Sequence, residues 1–246
     1  MKRYVIVGGT STIAEHCVRL WLAEKGIDLT LVARDRERAN SVAADLKVRS
    51  PDSLIKVIEG DFLAPKSAEK IVQEIYQDGA VDCVLIAHGS LPDQYSCASN
   101  LTSTAEELWI NGISPALFAE AFATKMSEFQ KGQLGIISSV AGDRGRKSNY
   151  IYGAAKGLLT RYTQGLQHRF AGTRIVVTLI KPGPTQTPMT AHIKDSSNMA
   201  NVETVAKGIV TGIAQNRTQI YVPGKWAQIM MVIRHLPSFI FNRMDI

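Results

Sequence analysis

Short apolar runs alternate with longer helical segments along the chain, and this alternation constrains the fold more than any other feature. The apolar runs cover residues 4–7, 29–33, 55–58, 82–87, 134–137, 174–180 and 219–222. Continuous runs of this length are typical of strands that are buried on both faces of a parallel sheet. Because strands and helices alternate, the sequence predicts a doubly wound α/β fold with a parallel sheet of about seven strands.

Composition indicates one domain with a short appendage. The 246 residues are 45% hydrophobic and 20% charged, which suits a compact domain with a sizeable core. We assign residues 1–224 to that domain and residues 225–246 to an apolar and basic tail. The chain enters its first strand without the pattern of a signal peptide. Its three cysteines lack C-x-x-C spacing, so we expect reduced thiols, no metal site and a cytoplasmic protein.

The net charge of +6 raises the question of an anionic partner. The basic residues form no block interleaved with aromatic residues, so we expect no nucleic-acid partner. We attribute the charge to a solvated surface and to a site for an anionic cofactor.

A turn of small residues follows the first strand and precedes a helical segment. Backbone N–H groups at a helix N-terminus point toward a bound anion, and small residues let the backbone approach it. The turn therefore predicts a phosphate site. Its cofactor-binding residues are Gly8, Thr10, Ser11, Thr12 and Ile13.

The segment from residue 139 to residue 156 carries groups for acid–base chemistry. Ser139 follows the strand of residues 134–137, and Tyr152 and Lys156 stand four residues apart on one helix face. Because an ammonium group favours the phenolate, we expect Lys156 to lower the pKa of Tyr152. A tyrosine tuned in this way exchanges a proton with an alcohol or a carbonyl. The Ser139 hydroxyl is suited to hold the reacting oxygen.

This segment resembles the catalytic pattern of the short-chain dehydrogenase/reductases, a serine followed by Tyr-x-x-x-Lys, and the resemblance covers nearly the whole chain. It implies a single Rossmann domain with strand order 3-2-1-4-5-6-7. By the family pattern Ser139 positions the substrate oxygen, Tyr152 is the acid/base, and Lys156 also binds the nicotinamide ribose. Asn111, in the helical region of residues 101–129, holds a water in a proton relay.

The chain departs from the family pattern at two places. The glycine-rich turn keeps Gly8 but has Thr12 and Ala14 where the family has glycines. Instead of Asn-Asn-Ala-Gly, the fourth strand ends in Ile-Ala-His-Gly at residues 86–89. The resemblance places beside the adenosine half of the cofactor Ala87, His88 and Gly89. A catalytic base is the alternative role for His88. The departures support a rival interpretation, a non-catalytic dinucleotide sensor or scaffold, which the intact Ser, Tyr, Lys and Asn positions oppose.

The end of the second strand bears on the choice of cofactor. Arg34 is the first residue after that strand, and a guanidinium suits a 2′-phosphate. We therefore favour NADP(H) over NAD(H). The alternative is an ordinary helix start, with Asp35 capping residues 36–47. The resemblance places Asp61 beside the adenine amine, and the alternative is that Asp61 shapes a turn.

The segment after the sixth strand is similar to the family's Pro-Gly-x-x-x-Thr motif. The resemblance implies that it covers the nicotinamide and that its last threonine contacts the cofactor. Its cofactor-binding residues are Pro182, Gly183, Thr185 and Thr187. The polar residues 189–200 then predict a substrate lid.

Together these features predict an oxidoreductase that interconverts a ketone and a secondary alcohol with NADP(H). Its expected partners are a small carbonyl or alcohol substrate and further copies of itself, in a homodimer or homotetramer.

The tail contains the apolar run 226–233 and a second apolar segment over residues 236–244. It is too short to span a bilayer, which needs about 20 apolar residues. An oligomer arm or pocket cover is one interpretation, and a segment lying on a membrane surface is the other. The turn and tail are similar to those of the decaprenylphosphoryl-2-keto-ribose reductases, which makes a lipid-linked keto-sugar an alternative substrate class.

Overall fold

A parallel sheet of seven strands forms the centre of the protein. The computed structural model describes residues 1–23, 26–191 and 197–244. The strands are β1 (Arg3–Val7), β2 (Asp28–Ala33), β3 (Leu54–Glu59), β4 (Cys83–Ile86), β5 (Gly132–Ile137), β6 (Ile175–Pro182) and β7 (Gln219–Val222). All neighbouring strands are parallel, in the order β3-β2-β1-β4-β5-β6-β7. The predicted fold class and strand order are confirmed.

Helices cover both faces of the sheet. They are α1 (Thr12–Leu22), α2 (Arg36–Arg49), α3 (Pro65–Gln77), α4 (Gln94–Ala98), α5 (Leu101–Leu108), α6 (Ser114–Phe129), α7 (Tyr150–Arg169), α8 (Val202–Ala214), α9 (Lys225–His235) and α10 (Ser238–Phe241). One buried core joins α3, α6 and α7 to the sheet, and a second joins α1, α2 and α8 to its other face. The strands are apolar on both faces for this reason.

The sheet changes winding direction between β1 and β4. Val7, the last residue of β1, pairs with Val32 on one side and with Ile86 on the other. The connections that follow β1 and β4 therefore diverge at the carboxyl edge of the sheet and leave a crevice there. Ligands of doubly wound folds bind in such a crevice.

The helical region 101–129 is not one continuous helix. A π-helical turn, Trp109–Ile113, separates α5 from α6. Pro115 is the second residue of α6, and it has no N–H to donate to the preceding turn. The wider turn accommodates this missing donor and places Asn111 within it. The helical region is thus interrupted by a π-helical turn just before the proline.

The tail forms α9 and α10, and α9 packs beside β7. Met230 and Phe241 are buried, whereas Met231, Val232 and Phe239 are more than half exposed. Of the helices within the described residues, none has the length and apolar character that membrane crossing requires.

Candidate active site

One pocket of about 650 Å³ lies at the carboxyl edge of the sheet, over the winding change. All four predicted catalytic residues line it: Ser139, Tyr152, Lys156 and Asn111. Most of the predicted cofactor-binding residues line it as well: Gly8, Thr10, Ser11, Thr12, Ile13, Arg34, Ala87, His88, Gly89, Pro182, Gly183, Thr185 and Thr187. Residues far apart in the sequence therefore form one site, whose volume is within the usual range of ligand pockets.

Ser139 and Tyr152 meet in this pocket. Ser139 follows β5 and caps a short 3-10 helix, Val140–Gly142, by accepting a hydrogen bond from the Ala141 N–H at 3.1 Å. Tyr152 is in the first turn of α7 and is half-buried. Burial raises the pKa of Tyr152 to about 12, and a hydrogen bond with Ser139 opposes only part of that shift. Tyr152 is therefore a protonated phenol near neutral pH.

Lys156 lies one helical turn beyond Tyr152. Its Nζ donates to the Ile137 carbonyl at 3.2 Å and is 5.7 Å from the centroid of the Tyr152 ring. Burial lowers the pKa of Lys156 to about 8. The prediction that Lys156 lowers the pKa of Tyr152 is wrong for this structure. Removing the phenol from water disfavours its charged form, and only the hydrogen bond with Ser139 acts in the opposite direction.

Asn111 holds the loop that follows β4. Its Oδ1 accepts from the Ser90 N–H at 2.9 Å, and its Nδ2 donates to the Ser90 hydroxyl and to Glu107. A side chain at Gly89 would place a Cβ 2.7 Å from Asn111 Oδ1 and 3.5 Å from Lys156 Nζ. Gly89 therefore allows the three elements to converge, and the proton-relay role of Asn111 stays a prediction.

The turn after β1 leaves no room for a side chain at Gly8. Gly8 has a φ of +95°, and a Cβ there would lie 2.6 Å from the His88 backbone nitrogen. Ser11 precedes α1 but makes no side-chain cap hydrogen bond, so the first amides of that helix stay open toward the pocket. Arg34 and Arg38 line the same end. Open helix amides and two arginines fit the phosphates of a dinucleotide.

His88 is a buried, neutral side chain. Its ring packs against Phe62 and Phe118, with centroids 4.6 and 5.6 Å apart, and its Nε2 lies 3.0 Å from Ser114 Oγ. Burial first, then the positive charge of Lys156, lowers the pKa of His88 to about 3. These contacts favour a packing role beside the cofactor site over the alternative of a catalytic base.

Two acidic residues near the second and third strands shape the backbone. Asp35 caps α2 by accepting from the Arg38 N–H at 2.9 Å, as expected if this segment is an ordinary helix start. Asp61 accepts from the Leu63 N–H at 2.8 Å, and it lies in a second pocket with Arg34 and Arg36, outside the main one. The structure thus supports the turn interpretation of Asp61, while its adenine contact stays a prediction.

The tail packs beside the segment that follows β6. A Cβ at Gly183 would lie 1.9 Å from Trp226 Nε1, so only glycine allows this contact. The Arg144 guanidinium donates to the carbonyls of Ile233 and Leu236, both at 2.6 Å, and lies 3.9 Å from the centroid of the Phe241 ring. Because Arg144 lies between Ser139 and Tyr152, these contacts join the tail to that segment, which agrees with the pocket-cover interpretation of the tail.

The predicted lid is described only in part. Residues 192–196 lie outside the described residues. Before them, Thr190 Oγ1 donates to the Thr185 carbonyl at 2.7 Å. After them, the Ala200 N–H donates to the Pro184 carbonyl at 2.9 Å. Both ends of the segment are therefore attached to the motif that begins at Pro182.

Sequence reasoning missed several polar residues of the pocket, among them Ser90, Ser138, Arg146 and Asn149. Arg146 and Asn149 line it from the segment between Ser139 and Tyr152. Their position between Ser139 and Tyr152 could have indicated that they line the pocket, because both ends of that segment were expected in the site.

Comparisons with known proteins agree with this geometry. A family model described as short chain dehydrogenase matches residues 2–198. An uncharacterized oxidoreductase of Streptomyces coelicolor is 27% identical over 99% of this chain and 96% of its own length.

Two solved structures share the fold. A short-chain dehydrogenase from Sphingobium yanoikuyae in complex with NADPH has a TM-score of 0.84 at 18% identity, covering 100% of this chain and 97% of that chain. A bulky-bulky ketone specific alcohol dehydrogenase from Comamonas testosteroni has a TM-score of 0.81 at 20% identity, covering 100% of this chain and 95% of that chain. At these identities the likeness concerns the fold.

Proposed function

Because the chain belongs to the short-chain dehydrogenase family, we propose that it reduces a ketone to a secondary alcohol with NADPH, or catalyses the reverse. The observation that carries the proposal is the convergence of Ser139, Tyr152 and Lys156 in the pocket that also contains the Gly8 turn. Family membership makes the chain an oxidoreductase, so we set aside the non-catalytic sensor or scaffold.

The nicotinamide supplies the hydride when the cofactor is bound. The chain's own groups orient the substrate and move a proton. The Ser139 hydroxyl holds the carbonyl oxygen, and Tyr152, protonated near neutral pH, donates its proton to that oxygen. Lys156, whose pKa is about 8, stands one turn away and restores the phenol proton through the pocket.

The preference for NADPH rests on the arginines at the adenosine end. Arg34 and Arg38 line the pocket there, and Arg36 contributes to the neighbouring pocket with Arg34. Guanidinium groups bind phosphate through paired charge-assisted hydrogen bonds. The S. yanoikuyae structure, which contains NADPH, supports the same choice.

The test of the chemistry is Tyr152→Phe in the full-length protein. We expect NADPH affinity to stay within about threefold, because phenylalanine keeps the ring, while turnover falls by about 10²–10⁴-fold. Turnover is followed by NADPH absorbance over a ketone panel. A variant that retains native turnover would remove Tyr152 as the acid, and native protein that reduces no ketone would contradict the proposal.

We also propose that the tail covers the edge of the pocket and that its exposed side mediates subunit contact. Trp226 packs on Gly183, while Met231, Val232, Phe239 and Ile240 remain exposed. Changing these four to serine should spare the fold and reduce the sedimentation coefficient. If sedimentation stays unchanged and the variant instead loses binding to anionic liposomes, the tail is a membrane contact, and the lipid-linked keto-sugar becomes the favoured substrate.

A further inference from the structure

Arg146 is a cation that lines the pocket, and it has no counterion within the part of the chain that the structure describes. It lies in the segment that connects Ser139 with Tyr152, and its side chain is partly withdrawn from water. Among residues 1–23, 26–191 and 197–244, no group forms a hydrogen bond or ion pair with its guanidinium.

Other charges of the same segment are committed to the fold. Arg144 binds the carbonyls of Ile233 and Leu236. Asp143 forms a buried ion pair with Lys181 and accepts from the Tyr221 hydroxyl at 2.7 Å. The fold thus uses the charges at positions 143 and 144, whereas the guanidinium at position 146 has no partner among the described residues.

A partly buried cation without a protein partner loses part of its hydration, which costs free energy when no other charge replaces it. Burial is the cause that lowers the pKa of Arg146 below its usual range. An anion at this position would replace the lost hydration and would bind through a pair of charge-assisted hydrogen bonds.

A second unpartnered polar atom lies next to Arg146. The Asn149 N–H donates to the Arg146 carbonyl at 3.1 Å, which fixes the two residues in one turn before α7. Asn149 Oδ1 is buried and has no hydrogen-bond partner within the described ranges, and Asn149 lines the same pocket. Buried polar atoms in native proteins are nearly always paired, so this acceptor points to a ligand.

We propose that the substrate carries an anionic group, a carboxylate or a phosphate, which Arg146 binds while Ser139 and Tyr152 hold the reacting carbonyl. Asn149 accepts a hydrogen bond from a hydroxyl or amide on the same substrate. The inference rests on the proposed function and narrows its substrate class. Arg146 contacts substrate but takes no part in proton transfer, so it determines specificity.

The test compares ketones in matched charged and neutral pairs, using the full-length protein with NADPH. Levulinate and methyl levulinate differ in a carboxylate, and dihydroxyacetone phosphate and dihydroxyacetone differ in a phosphate. We expect the charged member of one pair to have a kcat/KM about 10- to 100-fold higher, which corresponds to one charge-assisted contact. The pair that shows the difference identifies the anion.

Variants assign that difference to Arg146. Arg146→Gln should abolish the advantage of the charged ketone by raising its KM, and the kcat/KM of the neutral ketone should not change. For the charged ketone, the kcat/KM of Arg146→Lys should lie between those of the native protein and Arg146→Gln. Arg161→Gln is the matched control, because Arg161 is exposed on α7 and contacts only Gln164 in the described structure. Equal kcat/KM within both pairs, or an Arg146→Gln loss that is the same for charged and neutral ketones, overturns the inference. A raised KM for NADPH in Arg146→Gln also overturns it, because Arg146 then binds cofactor.

A binding measurement separates this inference from the proposed function. Levulinate and inorganic phosphate are titrated into NADPH-loaded native protein and into the Arg146→Gln variant, with the melting temperature as readout. If no ketone is reduced but one anion stabilises native protein and not the variant, the proposed chemistry fails and the anion site stands. If neither anion distinguishes the two proteins, the anion site is wrong whatever the turnover.

Discussion

The two ends of the pocket differ in how they are built. The adenosine end departs from the family pattern at Thr12, Ala14 and residues 86–89, and it presents backbone amides and exposed arginines. The catalytic end keeps every residue of the pattern, and hydrogen bonds hold Ser139 and Lys156 in place. Binding by backbone N–H groups tolerates side-chain change, since any residue of similar size supplies the amide. Proton transfer requires particular side-chain atoms, so the two ends should respond differently to substitution.

The largest expected effect is at the catalytic end. Ser139→Ala removes the hydroxyl that holds the carbonyl oxygen and contacts Tyr152. We expect kcat to fall by about 10²–10³-fold, as for the loss of one oxyanion donor, with NADPH affinity unchanged. Steady-state kinetics and cofactor titration measure the two quantities. A loss of affinity as large as the loss in kcat would contradict the division between the two ends.

An intermediate effect is expected at the adenosine end. Arg34→Asp replaces the proposed phosphate contact with a repulsive charge, so the ratio of NADPH to NADH affinity should fall by about 10- to 100-fold. The kcat at saturating cofactor should change little. Added salt should weaken the native preference, because Arg34 is exposed. Equal affinity of the native protein for both cofactors would defeat the assignment.

Substituting His88 tests whether the free energy of unfolding depends on a side chain at the adenosine end. Because its folded pKa, about 3, is below the ordinary value of 6.5, the unfolded chain binds the proton first as the pH falls. The stability that comes from burying neutral His88 is fully present above pH 6.5 and is lost as the pH falls toward 3. From pH 7 to pH 5 the native protein should lose about 2 kcal/mol of unfolding free energy relative to His88→Gln. Urea unfolding at the two pH values measures this difference, and parallel losses would show that His88 does not titrate as described.

The smallest effect is expected from a substitution in the turn at the adenosine end. Thr12→Gly restores a glycine of the family pattern at the start of α1. If backbone amides carry the binding, the NADPH dissociation constant should change by less than about threefold. Calorimetric titration measures it, with Ser139→Ala as the reference for an effect at the other end. A tenfold change would mean that the threonine side chain takes part in binding.

The sequence by itself predicted the positions of the seven strands and the residues of the proposed catalytic set. Buried strands and amphipathic helices have local patterns, so the seven runs were found to within about two residues. The positions of Ser139, Tyr152 and Lys156 follow from spacing along one strand end and one helix face. These inferences need only neighbouring residues.

Only the tertiary structure decided the electrostatics of the site and its outer contacts. Burial, not the nearby ammonium, sets the pKa of Tyr152, and burial depends on every element around the pocket. The buried pair of Asp143 and Lys181 joins residues 38 positions apart, and the bond from Arg144 to Ile233 spans 89. Arg146 was visible in the sequence as one more basic residue. Asp143 and Arg144 have partners, whereas Arg146 has none in the described structure. This difference is a property of packing, which brings distant residues together in ways that no local pattern encodes.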